Sequence, residues 1–338
     1  MADMACVTGA TGFLGQAIVK DLVAAGRPVR ALTRSDSAAK RLRDIGADRV
    51  RGDLRDRASL EAAFAGCAVV YHVAGVNAFC VPDPRPMFEV NIAGSRAVVL
   101  AAAAAGVRRL VYTSSAATLD VAPGPAGSRR FLSNYARSKY EAEQTVMAVS
   151  AKSGLATVCV NPASVQGPGR TSGTARLLIG YLNGKLPAAV DGPLNVIDIA
   201  DCTRGHLLAE EHGVPGERYL LCGASMTLRS GLALLSRLTG LEDPPHFLPP
   251  RLALAAAACI EAVARVRRKP TRFCREMVRT LIEGAPYDGS QAARGLGLEY
   301  TPIETTMRRT ISWYIAQGLI LRPLPGFTDA PPGTETAV

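Results

Sequence analysis

Tyr135 and Lys139 stand four residues apart in Tyr-Ala-Arg-Ser-Lys. On a helix that spacing puts a phenol and an ammonium on one face. A free phenol titrates near pH ~10, and a neighbouring cation lowers that value by stabilising the phenolate. A phenol so placed can hand a proton to a carbonyl oxygen or take one from an alcohol. Ser115 closes the run Arg-Leu-Val-Tyr-Thr-Ser-Ser and is placed to hydrogen-bond the same oxygen, with Ser114 as its alternative. A proton exchanged at a carbinol oxygen needs a hydride exchanged at its carbon, and the start of the chain offers a place for a hydride carrier.

That place is Thr8-Gly-Ala-Thr-Gly-Phe-Leu-Gly15, which follows a short apolar strand and opens an amphipathic helix. In such a turn Gly9, Gly12 and Gly15 permit a tight bend, close approach of backbone to a pyrophosphate, and close helix packing. Thr11, Phe13 and Leu14 belong to the same turn and to the helix N-terminus, where free N–H groups favour an anion. The second strand ends Ala-Leu-Thr33-Arg34-Ser35. An acidic residue there would bind the ribose 2′-hydroxyl of NAD. Arg34 and small hydroxyl residues suit a 2′-phosphate, so NADP is favoured over NAD. Asp53 and Leu54, after the third strand, are placed to meet the adenine. Val73, Ala74 and Gly75, ending the fourth, are small enough to lie along the dinucleotide.

The elements that must position these groups follow from hydrophobic periodicity. Strands are expected at Ala5–Thr8, Val29–Thr33, Arg49–Arg51, Ala68–Ala74, Arg109–Thr113 and Ala156–Asn161. Helices alternate with them at Phe13–Ala25, Ala38–Ile45, Ala58–Ala65, Met87–Ala105 and Ser133–Ser153. This rhythm predicts an α/β fold: a Rossmann-like, doubly wound parallel sheet covered on both faces. Asn91, early in the fourth helix, is placed to order a water or a backbone kink, or simply to pack the helix.

After Asn161-Pro162 the rhythm breaks at a Gly/Pro/Ser loop, 167–173. A smaller substrate lobe is expected over 166–324, after a dinucleotide-binding domain over 1–165 and before a loose tail at 325–338. Within the lobe, Asn195–Leu208 is expected to return to the main sheet. Arg170 and Arg176 could pair with an anionic substrate, although solvation of each is favoured. Arg251–Val266 is rich in alanine and leucine and leads into a basic stretch. A packing helix with a solvated basic edge is favoured there over docking at an anionic membrane.

Composition narrows the class. The 338 residues are 48% hydrophobic and 20% charged, enough for a sizeable core. The net charge of +10 fits anionic ligands, but with 5% aromatic residues and no recognition motif nucleic acid is not expected. The eight cysteines are scattered without Cys-x-x-Cys, which predicts buried free thiols rather than disulfides or a metal site. No signal peptide opens the chain, so a cytoplasmic location is expected.

The chain resembles the extended short-chain dehydrogenases/reductases. The resemblance rests on Thr8-Gly-Ala-Thr-Gly-Phe-Leu-Gly15, Gly52-Asp-Leu-Arg-Asp56, His72-Val-Ala-Gly75, Thr113-Ser-Ser115, Tyr135-x-x-x-Lys139 and Asn161-Pro. Within them it is similar to the dihydroflavonol 4-reductase-like branch and the hopanoid-associated sugar epimerase group, through Tyr181–Pro187, Leu194–Asp201, Gly205–Ala209 and Gly216–Leu221. The resemblance implies a catalytic triad of Ser115, Tyr135 and Lys139. It also implies a nicotinamide site that includes Tyr135, Lys139 and Asn161, a small-molecule substrate, and pairing of two copies through the long helices Met87–Ala105 and Ser133–Ser153. The step from Ser115 to Tyr135 is shorter than expected for close relatives, which reshapes the pocket wall, and Pro123–Gly127 reads as a mobile loop. Two activities stay open: a reductase or dehydrogenase of a ketone or secondary alcohol, and a redox-neutral nucleotide-sugar epimerase. A non-catalytic dinucleotide sensor ranks last, since both Tyr135 and Lys139 are present.

Overall fold

The computed structural model describes residues 3–34, 39–119, 121–123, 129–242, 244–269, 271 and 273–328. Of the mobile loop expected at Pro123–Gly127, all but Pro123 falls outside them, as does most of the expected tail.

The first half alternates as its periodicity predicts. In order come β1 (Ala5–Thr8), α1 (Phe13–Ala24), β2 (Val29–Thr33), α2 (Ala39–Ile45), β3 (Asp48–Arg51), α3 (Arg57–Phe64) and β4 (Val69–His72). Then follow α4 (Arg85–Phe88), a π-helical turn (Glu89–Gly94), α5 (Ser95–Ala104), β5 (Arg109–Thr113), the hairpin β6 (Val121–Pro123) and β7 (Arg129–Phe131), α6 (Asn134–Ser153) and β8 (Ala156–Pro162). Side-chain caps start two of the sheet-covering helices. Asp56 accepts from Ser59 N at 3.3 Å to begin α3, and Ser133 Oγ accepts from Ala136 N at 3.0 Å to begin α6. Gly154, at φ +70°, ends α6 in the left-handed conformation.

Seven parallel strands form one sheet in the order β12–β8–β5–β4–β1–β2–β3, with β12 at Arg218–Leu221. Strand order reverses between β1 and β4, which opens a crevice at their C-terminal ends. Both faces of the sheet are covered. Val7, Ile18, Tyr71, Val158 and Cys202 pack on one side. Phe64, Val70, Val98, Tyr112 and Val146 pack on the other. The helical stretch Arg85–Ala104 is long and apolar enough to cross a bilayer, but it lies against α3 and α6 with Val98, Val99, Ala101 and Ala102 fully buried.

The second half holds β9 (Ser164–Gln166), α7 (Thr174–Leu182), β10 (Ala188–Ala189), β11 (Pro193–Asp198), α8 (Ile199–His212), β12, β13 (Ala224–Thr227), α9 (Leu228–Thr239) and β14 (His246–Phe247). The helices α10 (Pro250–Val266), α11 (Arg275–Glu283), α12 (Ser290–Leu296) and α13 (Ile303–Ala316) complete it. Of the segment Asn195–Leu208, the helical part packs on α1 and the main sheet, while β11 joins a separate sheet with β9 and β13. The strand added to the main sheet is β12, paired with β8. A lobe core of Leu178, Tyr181, Leu232, Leu235, Ile311 and Tyr314 joins α7, α9 and α13.

The expectation that all the cysteines are free thiols fails at Cys80 and Cys274, which form a disulfide. These residues are 194 positions apart, and only the folded path of the chain brings them together.

Candidate active site

The glycine turn lies at the crevice between β1 and β4. Gly9 has φ +71°, and a Cβ there would fall 2.7 Å from Ala74 N. Only glycine tolerates both the conformation and the approach. A Cβ on Gly15 would meet Gly9 O at 2.2 Å, so this glycine packs the helix against the turn itself. Gly12 caps α1 without a side-chain hydrogen bond, and the first turn carries no acid. The α1 N–H groups therefore face the crevice as anion donors. Thr11 is exposed there, while Phe13 and Leu14 are half-buried. This cradle fits the pyrophosphate of a dinucleotide.

The far side of the crevice is fixed by a buried chain of hydrogen bonds. Thr8 Oγ1 lies 2.7 Å from His72 Nδ1 and accepts from Ala74 N at 3.2 Å. His72 Nε2 lies 2.9 Å from Ser95 Oγ. Burial pushes the His72 imidazole down to about 3, with the Lys139 charge acting the same way. It is neutral, so one ring nitrogen donates and the other accepts, which joins the Thr8 and Ser95 hydroxyls through the ring. This tie holds Val73, Ala74 and Gly75 against the glycine turn.

At the end of β2, Arg34 is exposed, and its charge acts on Asp53. Asp53 accepts from Arg55 N at 3.0 Å, and hydrogen bonds from Arg55 hold its carboxyl below the usual range. Leu54 is buried beside Gly94. Arg49, which the sequence reading passed over, donates from Nε to Thr33 Oγ1 at 3.2 Å. Its register opposite Ala31 brings a second guanidinium to the end of β2.

Asn91 lies within the π-helical turn. Its Oδ1 accepts from Val76 N at 2.8 Å, and its Nδ2 donates to Val76 O at 3.0 Å and Ser138 Oγ at 2.9 Å. Of the roles open to Asn91, these bonds order backbone and pack helices: the amide pins the chain after β4 to α6.

The structure brings Ser115 close enough to Tyr135 to act on the charge of its phenol. Tyr135 is half-buried in the first turn of α6, with the Phe79 ring 5.9 Å away. Burial raises its pKa, while Ser115 and the Arg170 charge lower it. Ser114 Oγ is buried and makes no hydrogen bond among the described residues. Lys139 sits one turn further along α6. Its ammonium donates to Thr113 O at 2.8 Å and Tyr112 Oη at 3.3 Å. Burial lowers its pKa to about 8, while Cys159 and Glu143 act to raise it. Arg170 is a second cation that acts on Tyr135, beyond the Lys139 to which spacing points.

Arg170 also departs from the solvated fate expected for it. It is half-buried, with its guanidinium 5.4 Å from the centre of the Phe13 ring. Asn161 is buried behind Ser115, with Nδ2 at 3.2 Å from Ser115 O, 3.1 Å from Thr118 Oγ1 and 2.7 Å from Glu143 Oε2. Its side chain therefore bears on the site through Ser115. Glu143, missed in the sequence, also pairs with Arg218 at 3.3 Å. The apolar crevice lined by Leu178, Leu194, Val196, Met226 and Met307 lies within the lobe, and none of Ser115, Tyr135 and Lys139 lines it.

Beside Tyr135 the disulfide acts as a clamp. Cys274 caps α11, and Glu276 of that helix accepts from Cys80 N at 3.3 Å and from Asn134 N. The lobe is thereby tied to the loop carrying Phe79 and to the start of α6.

Comparison with known proteins adds four findings. Residues 5–222 match the family described as the NAD dependent epimerase/dehydratase family. Sterol demethylase protein B of Methylococcus capsulatus is 34% identical over 93% of this chain and 99% of its own. A 4-hydroxy-2-methyl-3-oxo-4-farnesyl-3,4-dihydroquinoline-1-oxide ketoreductase of Stigmatella aurantiaca is 34% identical over 77% of this chain and 80% of its own. Among solved structures, gox2253 superposes with a TM-score of 0.80 at 30% identity, covering 94% of this chain and 99% of that one.

Proposed function

Because the chain belongs to the NAD dependent epimerase/dehydratase family, we propose that it is a nicotinamide-dependent reductase or dehydrogenase of a ketone or secondary alcohol on a lipophilic metabolite. The observation that carries this reading is the gathering of Ser115, Tyr135 and Lys139, with Ser115 acting on the Tyr135 phenol and the Lys139 ammonium 3.8 Å from where a Cβ on Gly75 would stand at the crevice. The names of the sterol and farnesyl-quinoline relatives support a lipophilic substrate.

A bound nicotinamide dinucleotide supplies or accepts the hydride. Gly9, Gly12 and the α1 N-terminus hold its pyrophosphate, and Arg34 with Arg49 favours a 2′-phosphate, hence NADP. Ser115 holds the substrate oxygen by hydrogen bonding. Tyr135 gives that oxygen its proton in reduction and removes it in oxidation. Its raised pKa keeps the phenol protonated at neutral pH, the form that reduction requires. Lys139 keeps a positive charge behind the site, held by Thr113 O. Asn91 and Asn161 fix the backbone on which these groups sit.

A redox-neutral epimerase is the second reading, favoured by the family match itself. Incubation with NADPH and a panel of sterol-like and isoprenoid ketones separates the two. Stoichiometric NADPH loss supports the reductase. Conversion of a nucleotide sugar with no net change in dinucleotide would replace it by the epimerase.

A further inference from the structure

The helix α10 presents its apolar face outward. Leu252, Ala255, Cys259, Val263 and Val266 recur at spacings of three and four, and all are exposed. Leu252 is 60% exposed, Val263 50% and Val266 84%, whereas the fully buried positions of this helix are only Ala253 and Ala257. A water-facing helix ordinarily carries polar residues on that side. Here the charges flank the stripe instead. Arg251 stands at its start, and Arg265, Arg267, Arg268 and Lys269 cluster at its end, all exposed. The one acid of the helix, Glu261, is paired with Arg275 at 2.7 Å.

We propose that α10 docks this protein on an anionic phospholipid surface, with the stripe entering the headgroup boundary and the basic cluster meeting the phosphates. An aliphatic stripe with basic flanks is the composition such docking requires. A second copy of the chain suits the face less well. It would bring like charges together, and the stripe lacks the aromatic anchors common at protein interfaces. The location adds to the case. Val278 of α11 packs with Ala253 and Ala257 of α10, and α11 is tied through Cys274 and Glu276 to the loop carrying Phe79 beside Tyr135. The docking face therefore lies one helix away from the loop beside Tyr135 and, on the reductase reading, close to where a bilayer-dissolved substrate would be needed.

Flotation of the full chain with phosphatidylcholine vesicles, with and without phosphatidylglycerol, tests this. Binding should need the anionic lipid and should fall at least about tenfold at high salt, since salt screens the attraction between the basic cluster and the lipid phosphates. The triple variant Leu252→Ser, Val263→Ser, Val266→Ser should lose flotation while still binding dinucleotide, which shows that it is folded. The proposal fails if the wild-type chain does not float with anionic vesicles or if the triple variant floats equally well. It also fails if the three substitutions abolish a dimer seen by sedimentation, because the face would then join two copies. Vesicle binding is read without substrate, so it stands or falls separately from the reductase assignment.

Discussion

The Arg170 guanidinium lies 5.4 Å from the centre of the Phe13 ring, so a residue of the second half of the chain rests on the first turn of α1. The same charge lowers the pKa of Tyr135 against the effect of burial. One side chain thus links the glycine turn, the lobe and the reacting phenol. Arg170→Gln should raise the Tyr135 pKa further. The pH profile for alcohol oxidation, which needs the deprotonated phenol, should move to higher pH. An unmoved profile would show that Arg170 does not act on the reacting group.

Tyr135→Phe removes the proton donor and keeps the ring beside Phe79. Turnover should fall ~100- to 10,000-fold, the usual contribution of a positioned acid or base. Dinucleotide affinity, measured by fluorescence titration, should stay unchanged. Near-normal turnover would dismiss Tyr135 from proton transfer.

Arg34→Ala tests the choice of dinucleotide. A charge-assisted hydrogen bond to a phosphate contributes ~1.5–3 kcal/mol, so loss of Arg34 should raise the KM for NADPH by about tenfold or more. The KM for NADH should hardly change. Equal effects on both would show that Arg34 does not meet the 2′-phosphate.

These groups differ in how far the sequence reveals them. Gly9, Gly12 and Gly15 are local: strand, turn and helix are contiguous, so their spacing carries the geometry. Ser115, Tyr135 and Lys139 are nearly so, because a strand end and the helix that follows must meet at one edge of a parallel sheet. Arg49 was overlooked because its value depends on register with β2, which no local pattern encodes. Arg170 resembles any loop arginine until Phe13 is seen beneath it. The Cys80–Cys274 pair is the extreme case, since its partners lie 194 residues apart with no spacing signature. What the sequence leaves hidden is the set of long-range contacts through which the lobe closes on the sheet.

That disulfide makes a prediction in its own right. Without reductant the denatured chain should show six titratable thiols, and all eight after reduction. Cys80→Ser with Cys274→Ser should cost about 2–4 kcal/mol of stability, the usual contribution of a native cross-link. The melting temperature reports that loss. The loop carrying Phe79 would also loosen beside Tyr135, so KM for the ketone should rise more than kcat falls. A denatured wild-type chain with eight free thiols before reduction would show that the clamp is absent in solution.

Two buried histidines make the fold sensitive to acid. Burial lowers His72 from an ordinary 6.5 to about 3, and His206 to about 4. Below pH 6.5 the unfolded chain takes up protons at both positions while the folded chain does not. Stability therefore falls as pH drops, by about 1.4 kcal/mol per pH unit for each group, until the folded values are reached. His206 Nε2 lies 3.0 Å from Thr113 Oγ1, and His72 ties β4 to β1, so the loss would be felt at the strands that carry the site. Urea unfolding between pH 7 and pH 4.5 should show this slope, and His206→Gln should flatten it by about half. An unchanged slope in the variant would mean that His206 is already protonated in the folded protein.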